Sequence, residues 1–192
     1  MAPTPEVIFG PPGTGKTTTL VGIAEEEIGR GTPPDRLAYV SFTRRAAEEA
    51  TARASDRLGL SRDDLPYFRT LHSLCFRALA LGREEVLSPL RLREFADGAG
   101  VRITGREWAD DGSTHGFTVG DRALFMEGLA RVRCLPLREV YCKDDDDLPW
   151  DQVEYVARAL AAYKAECGLL DFTDMLSAFL AEASPPPLDV VP

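Results

Sequence analysis

The sequence predicts an α/β fold, a parallel sheet interrupted by a mostly helical inserted segment. Three observations carry that expectation. Gly10-Pro-Pro-Gly-Thr-Gly-Lys16-Thr17 reads as G-x-x-x-x-G-K-T, between apolar Val7-Ile8-Phe9 and a stretch with helical spacing at Leu20, Ile23, Ala24 and Ile28. Two more strand–turn–helix units follow, at 37–58 and 67–81. From Gly82 the alternation stops, and residues 83–162 read as helices between Gly-rich or acidic loops.

The first unit is a phosphate-binding loop of the kind found in nucleoside-triphosphate enzymes. Gly10, Gly13 and Gly15 free the backbone to turn successive N–H groups toward one anion, and the helix that follows adds its positive end. Lys16 is expected to place its ammonium on the β and γ phosphates, and Thr17 its hydroxyl on Mg²⁺. The candidate nucleotide contacts are therefore Gly10, Pro11, Pro12, Gly13, Thr14, Gly15, Lys16, Thr17 and Thr18, with Lys16 and Thr17 as the catalytic pair and Thr17 as the metal ligand.

Past the break at Gly29–Asp35, Leu37–Thr43 is β-branched and aromatic, as a strand should be. Arg44–Leu58 follows as a helix with Ala46, Ala47, Ala50, Ala54 and Leu58 on or near one face and Thr43 as its cap. Tyr67–Thr70 reads as a short third strand and Leu71–Leu81 as a helix. Arg83–Phe95, Asp121–Arg133 and Trp150–Lys164 read as helices, separated by loops at Gly98–Gly120 and Lys143–Pro149. Asp144–Asp147 is read as a solvated acidic run. Asp171 is expected to cap a helix running to about Glu182, and Leu188–Pro192 to open another buried strand.

With 192 residues, the chain can bury a real core. It has no apolar run near the roughly 20 residues of a membrane span, and its N-terminus lacks the regions of a signal peptide. A cytoplasmic location is the expectation. Cys75, Cys134, Cys142 and Cys167 show no metal-ligand spacing with each other or with His72 and His115, so they read as reduced thiols. The net charge of −9 argues against a protein that coats nucleic acid generally, but it is unevenly spread. Residues 1–81 hold ten Lys/Arg against ten Asp/Glu, whereas 82–163 hold eleven against sixteen. Positive charge is thus least diluted around the phosphate loop, where a local groove remains open to nucleic acid.

Two strand exits strengthen that possibility. Ser41-Phe-Thr-Arg-Arg45 places an aromatic face, hydroxyls and guanidinium groups where ligands bind in such sheets. A single-stranded nucleic acid needs that combination, for stacking bases and for holding phosphates. Arg69-Thr-Leu-His-Ser73 repeats the pattern at the next exit. Either segment alone would be unremarkable core and helix start; two in succession favour binding.

Taken in order, these segments resemble the start of a superfamily 1A DNA helicase of the UvrD/Rep/PcrA type. GPPGTGKT at 10–17 resembles motif I, SFTRRAAEEA at 41–50 motif Ia, RTLHSL at 69–74 motif Ic, and LDFTDML at 170–176 the segment before motif II. The resemblance implies a RecA-like P-loop NTPase core (domain 1A) at 1–81, a helical insertion (1B) at 82–163, and a return to the core at 164–192. It implies an ATP- and Mg²⁺-dependent, 3′-to-5′ translocase or helicase whose single-stranded DNA contacts are Phe42, Thr43, Arg44, Thr70 and His72. Arg44 and Leu71 depart from the usual Asn and Phe. Family members carry an adenine-reading Gln motif before the loop, and nine residues precede Gly10 here, so the resemblance does not extend to adenine recognition. The acidic motif II would follow Leu188-Asp-Val-Val, and a second RecA-like domain would follow that. The expectation is therefore an N-terminal portion, incomplete for hydrolysis by itself and partnered by the remaining helicase part on the same or a companion chain. A non-hydrolysing nucleotide- or DNA-binding fragment, and another P-loop ATPase or kinase, are the alternatives.

Overall fold

A computed structural model describes residues 7–11, 13–104, 118–141, 148–182, 184 and 186–191. Pro12, His115, Cys142 and the Asp144–Asp147 run lie outside the described residues. The chain divides into two compact units, one of residues 1–80 with 179–192 and one of residues 81–178.

The first unit is α/β. Its elements are α1 (Lys16–Gly29), β1 (Tyr39–Ser41), α2 (Arg44–Leu58), β2 (Phe68–Thr70) and α3 (Leu71–Ala78). β1 and β2 pair in parallel, with Tyr39 opposite Phe68, Val40 opposite Arg69 and Ser41 opposite Thr70. Tyr39 and Phe68 also stack, with ring centroids 5.7 Å apart. Their core is completed by Val21 and Ala24 of α1, Leu37, Ala50 and Ala54 of α2, and Leu65. Alanines at 24, 50 and 54 are fully buried, so α1 and α2 approach closely with little side-chain bulk between them.

α2 and α3 start where their sequences say they should. The Thr43 hydroxyl accepts a hydrogen bond from the Ala46 N–H at 3.2 Å, and Thr70 does the same for Ser73 at 3.2 Å. α2 ends at Gly59, whose φ of 65° is the left-handed conformation glycine adopts without strain. α3 stops at Ala78, short of the expected Leu81, because Ala80 turns into the left-handed region at φ 52°.

Two expected strands are corrected. Val7-Ile8-Phe9 is not a strand among the described residues, and Val7 and Phe9 are exposed. A parallel strand needs partners on its flanks to be buried, and the described sheet consists of β1 and β2 alone. Leu188–Val190 contributes a single parallel bridge, Val190 to Leu37, reinforced by an Arg36–Asp189 ion pair at 2.7 Å.

The second unit is helical, with α4 (Pro89–Ala99), α5 (Val119–Val132), α6 (Leu137–Val140), α7 (Trp150–Cys167) and the start of α8 (Phe172–Glu182). The expected helix at 83–95 is instead a 3₁₀ turn at Arg83–Glu85 followed by α4. Pro89 explains the shift. It cannot donate a backbone hydrogen bond, so it fits the first turn of a helix and not the interior, and Ser88 caps the new start. Phe95, Ala123, Leu148, Val153, Val156 and Leu160 form the core. Asp121 is tied by the Thr118 hydroxyl at 2.7 Å and by the Thr104 N–H and hydroxyl at 2.9 Å each. Burial works to raise its pKa, but those hydrogen bonds outweigh it and hold the carboxyl below its ordinary range.

Candidate functional site

The phosphate loop and both strand exits fall within the first unit. Gly13 and Gly15 both sit at φ 83°, where a side chain would be strained. Gly10 is constrained differently: a Cβ there would lie 2.5 Å from the Thr14 hydroxyl. That hydroxyl donates to the Pro11 carbonyl at 2.8 Å and folds the loop on itself. Lys16 reaches back over the same turn, its Nζ 2.5 Å from the Gly10 carbonyl and 2.8 Å from that of Pro11.

The start of α1 has a charge character that suits an anion. Its N-cap, Gly15, offers no side-chain acceptor, and its first turn carries no acidic residue. The first N–H groups of the helix and the positive end of its dipole are thus left to a ligand. Lys16 adds a full positive charge beside them. Thr17 is half-buried in that first turn, and Thr18 is held by Arg53, whose Nη1 donates to its hydroxyl at 3.0 Å. Glycine cradle, free helix start and ammonium together suit a nucleotide polyphosphate, and the Thr17 hydroxyl suits the accompanying Mg²⁺.

The register of β1 and β2 brings the two exits side by side. Ser41 lies opposite Thr70, so the chain leaves both strands at neighbouring points. Phe42 is 87% exposed, an unusual place for a phenyl ring, and Arg44 and Arg45 are exposed beside it. Thr43 and Thr70 already accept capping bonds, but each hydroxyl keeps its proton to donate. His72 is half-buried in α3. Arg69 anchors the second exit through the Pro66 carbonyl at 2.6 Å and the Ser73 hydroxyl at 3.3 Å. Burial, and then the nearby charge of Arg77, lower its pKa.

The LDFTDML segment has a different use. The Asp171 Oδ1 accepts from the Asp174 N–H at 2.9 Å, and Asp174 Oδ2 accepts from the Asp171 N–H at 3.0 Å, so the two cap α8 reciprocally. Both carboxylates also meet cations from other helices. Arg131 of α5 grips Asp171 with two nitrogens at 2.6 and 3.0 Å and reaches Asp174 at 2.5 Å. Lys164 of α7, 7% exposed, contacts each at 2.6 Å. Burial would raise the Asp171 pKa, but the hydrogen bonds from Arg131 and Lys164 hold it well below the usual carboxylate range. Glu127, 3.3 Å from Arg131, is shifted the other way, pushed up by burial that the neighbouring cations only partly offset.

Sequence reasoning found the Asp171 cap but neither cation, nor Arg53. One signal was available: Val153, Val156, Leu160 and Lys164 follow helical spacing along one stripe, so a lysine on a buried face was legible. Among the described residues no group of three or more His, Cys, Asp or Glu could hold a metal ion. Cys75 is buried, which pushes its thiol up, while Cys134 and Cys167 are exposed; all three are free. No helix among the described residues is long and apolar enough to cross a membrane.

No individually curated protein matches the chain. The sequence model of the UvrD/REP helicase N-terminal domain, however, matches residues 2–185, nearly the whole length. With that coverage, and a phosphate loop followed by paired strand exits, the chain belongs to the UvrD/REP helicase N-terminal domain family, a family of DNA helicases.

Proposed function

We propose that this chain is the nucleotide- and strand-gripping portion of an ATP-dependent, 3′-to-5′ single-stranded-DNA translocase or helicase. In this reading residues 1–81 and 164–192 form a RecA-like core (1A) around a helical 1B insertion at 82–163, and the protein works in the cytoplasm. The observation that carries it is the pairing of Ser41 with Thr70, which sets an exposed aromatic and two arginines beside a second hydroxyl-bearing exit.

Bound with Mg²⁺, ATP would supply the phosphoanhydride whose cleavage drives movement. The chain's own residues bind and orient it. Lys16, which rests on the Gly10 and Pro11 carbonyls, would hold phosphate oxygens with its ammonium, the N–H groups of the loop and of the α1 start would cradle the same oxygens, and Thr17 would offer its hydroxyl to the metal. Phe42 offers a face for one base, while Thr43, Arg44, Thr70 and His72 hold flanking phosphates. Transition-state cations and metal carboxylates beyond these come from the remaining helicase part, on the same or a companion chain.

The test is binding, measured on this chain with a slowly hydrolysed ATP analogue and with a labelled oligothymidylate. Lys16→Ala is expected to weaken nucleotide binding about 10- to 100-fold, the scale of hydrogen bonds to a charged group. Phe42→Ala is expected to weaken oligonucleotide binding about tenfold, as for loss of one stacked base. Nucleotide binding with no affinity for the oligonucleotide would point instead to a kinase-like P-loop enzyme.

A further inference from the structure

One cation ties the helix behind the first strand exit to the phosphate loop's own helix. Arg53 lies on α2, whose first residue follows Phe42 and Thr43 directly. Its guanidinium divides its nitrogens between two partners. Nη2 pairs with Glu49 one turn back on the same helix, at 2.5 Å, and Nη1 crosses to α1 and donates to the Thr18 hydroxyl at 3.0 Å. The Glu49 pair alone would be an ordinary helix-surface contact. The crossing bond is different, because Thr18 lies in the first turn of α1, directly after Lys16 and Thr17.

A threonine hydroxyl has one proton to give and lone pairs to accept with. Once Oγ1 accepts from a guanidinium, its own O–H is left for another acceptor, and the cation polarises it into a stronger donor. With residues 10–18 read as a nucleotide site, that acceptor is a phosphate oxygen. Arg53 is also held in place. Glu49 fixes its other arm, and the buried alanines between α1 and α2 keep the two helices at close separation.

We propose that Arg53 is a positioning residue of the nucleotide site, acting through Thr18 to orient and strengthen its hydroxyl as a phosphate donor. The inference rests on the reading of residues 10–18 as a nucleotide site. It predicts that the contributions of Arg53 and Thr18 to nucleotide affinity are one contribution, not two.

The experiment is a double-mutant cycle on the full 192-residue chain, with ATPγS affinity as the readout and circular dichroism to confirm that helix content is kept. Arg53→Ala and Thr18→Val are each expected to weaken binding about three- to tenfold, the range for one hydrogen bond. The double variant is expected to be no weaker than Thr18→Val, and Arg53→Lys to recover part of the loss. Additive losses, or Arg53→Ala binding as tightly as the unsubstituted chain, would overturn the inference. Lys16→Ala, measured alongside, separates the two levels. If Lys16→Ala loses affinity and Arg53→Ala does not, only the role of Arg53 falls. If the unsubstituted chain does not bind ATPγS, the nucleotide site falls and Arg53 with it.

Discussion

Arg57 and Arg131 both reach across to a carboxylate on another helix, and they live in different surroundings. Arg57 pairs with Glu25 at 3.0 Å from a side chain half open to solvent. Arg131 meets three carboxylates from a site where its own side chain is 25% exposed and Lys164 beside it is buried. The first unit holds its helices together through an apolar alanine seam and lets its charged groups stay near water. The second commits two cations and three acids to fixing the start of α8. Charged side chains therefore carry stability in residues 81–178, whereas around the phosphate loop they remain accessible to ligands.

The sharpest way to break this contrast is Arg131→Ala. Removing one member of a half-buried cluster leaves Asp171 and Asp174 under-compensated, at an expected cost of about 3 kcal/mol. Trp150 opens α7 in the unit of residues 81–178, so its indole fluorescence during urea unfolding reads that unit. Affinity for the ATP analogue should be unchanged. A parallel loss of nucleotide binding would show that the cluster serves the site as well as the fold.

A smaller effect follows from acid. The Asp171 pKa is depressed in the folded chain, so its stabilisation is complete above its unfolded value near 3.8 and drains away as pH falls through the lower folded value. Glu127 runs oppositely. Its raised pKa makes the folded chain the better proton binder, so its contribution declines as pH rises from about its unfolded value of 4.5. The fluorescence transition should lose on the order of 2 kcal/mol between pH 4 and the acid end, and Asp171→Asn should flatten that limb. An unaltered acid limb in Asp171→Asn would assign it to other carboxylates.

Smallest of all is Arg57→Ala, expected to cost under about 0.5 kcal/mol as a solvent-screened pair, with a difference that fades in high salt. A cost above 1 kcal/mol would mean that the first unit leans on its surface charges more than its alanine seam suggests.

What could be read without coordinates was local. Thr43 before an alanine-rich stretch marked the start of α2 and Asp171 that of α8, because caps depend on residues three or four positions away. The loop glycines and Lys16 were legible for the same reason. Val7–Phe9 shows the limit of that approach. Its composition says strand, but a strand is a relation to neighbours, and pairing is not written in the segment itself. Arg131, Lys164 and Arg53 escaped for a related cause: their partners lie 40, 7 and 35 residues away, on other helices or beyond a turn.

The first unit is built from two stretches of chain separated by about a hundred residues, and Leu37 waits for Val190 to complete its bridge. That interruption sets an order of events at the ribosome. At about 5–20 residues per second, the chain between Ala80 and Phe179 takes roughly 5–20 s to appear. During that time the helical unit is contiguous and complete in sequence, free to fold from local contacts. The strand pair stands with an open edge until residues 179–190 emerge, and its closure must span a loop of more than a hundred residues. Of the two units, the one with the phosphate loop is completed second, once residues 81–178 have been made.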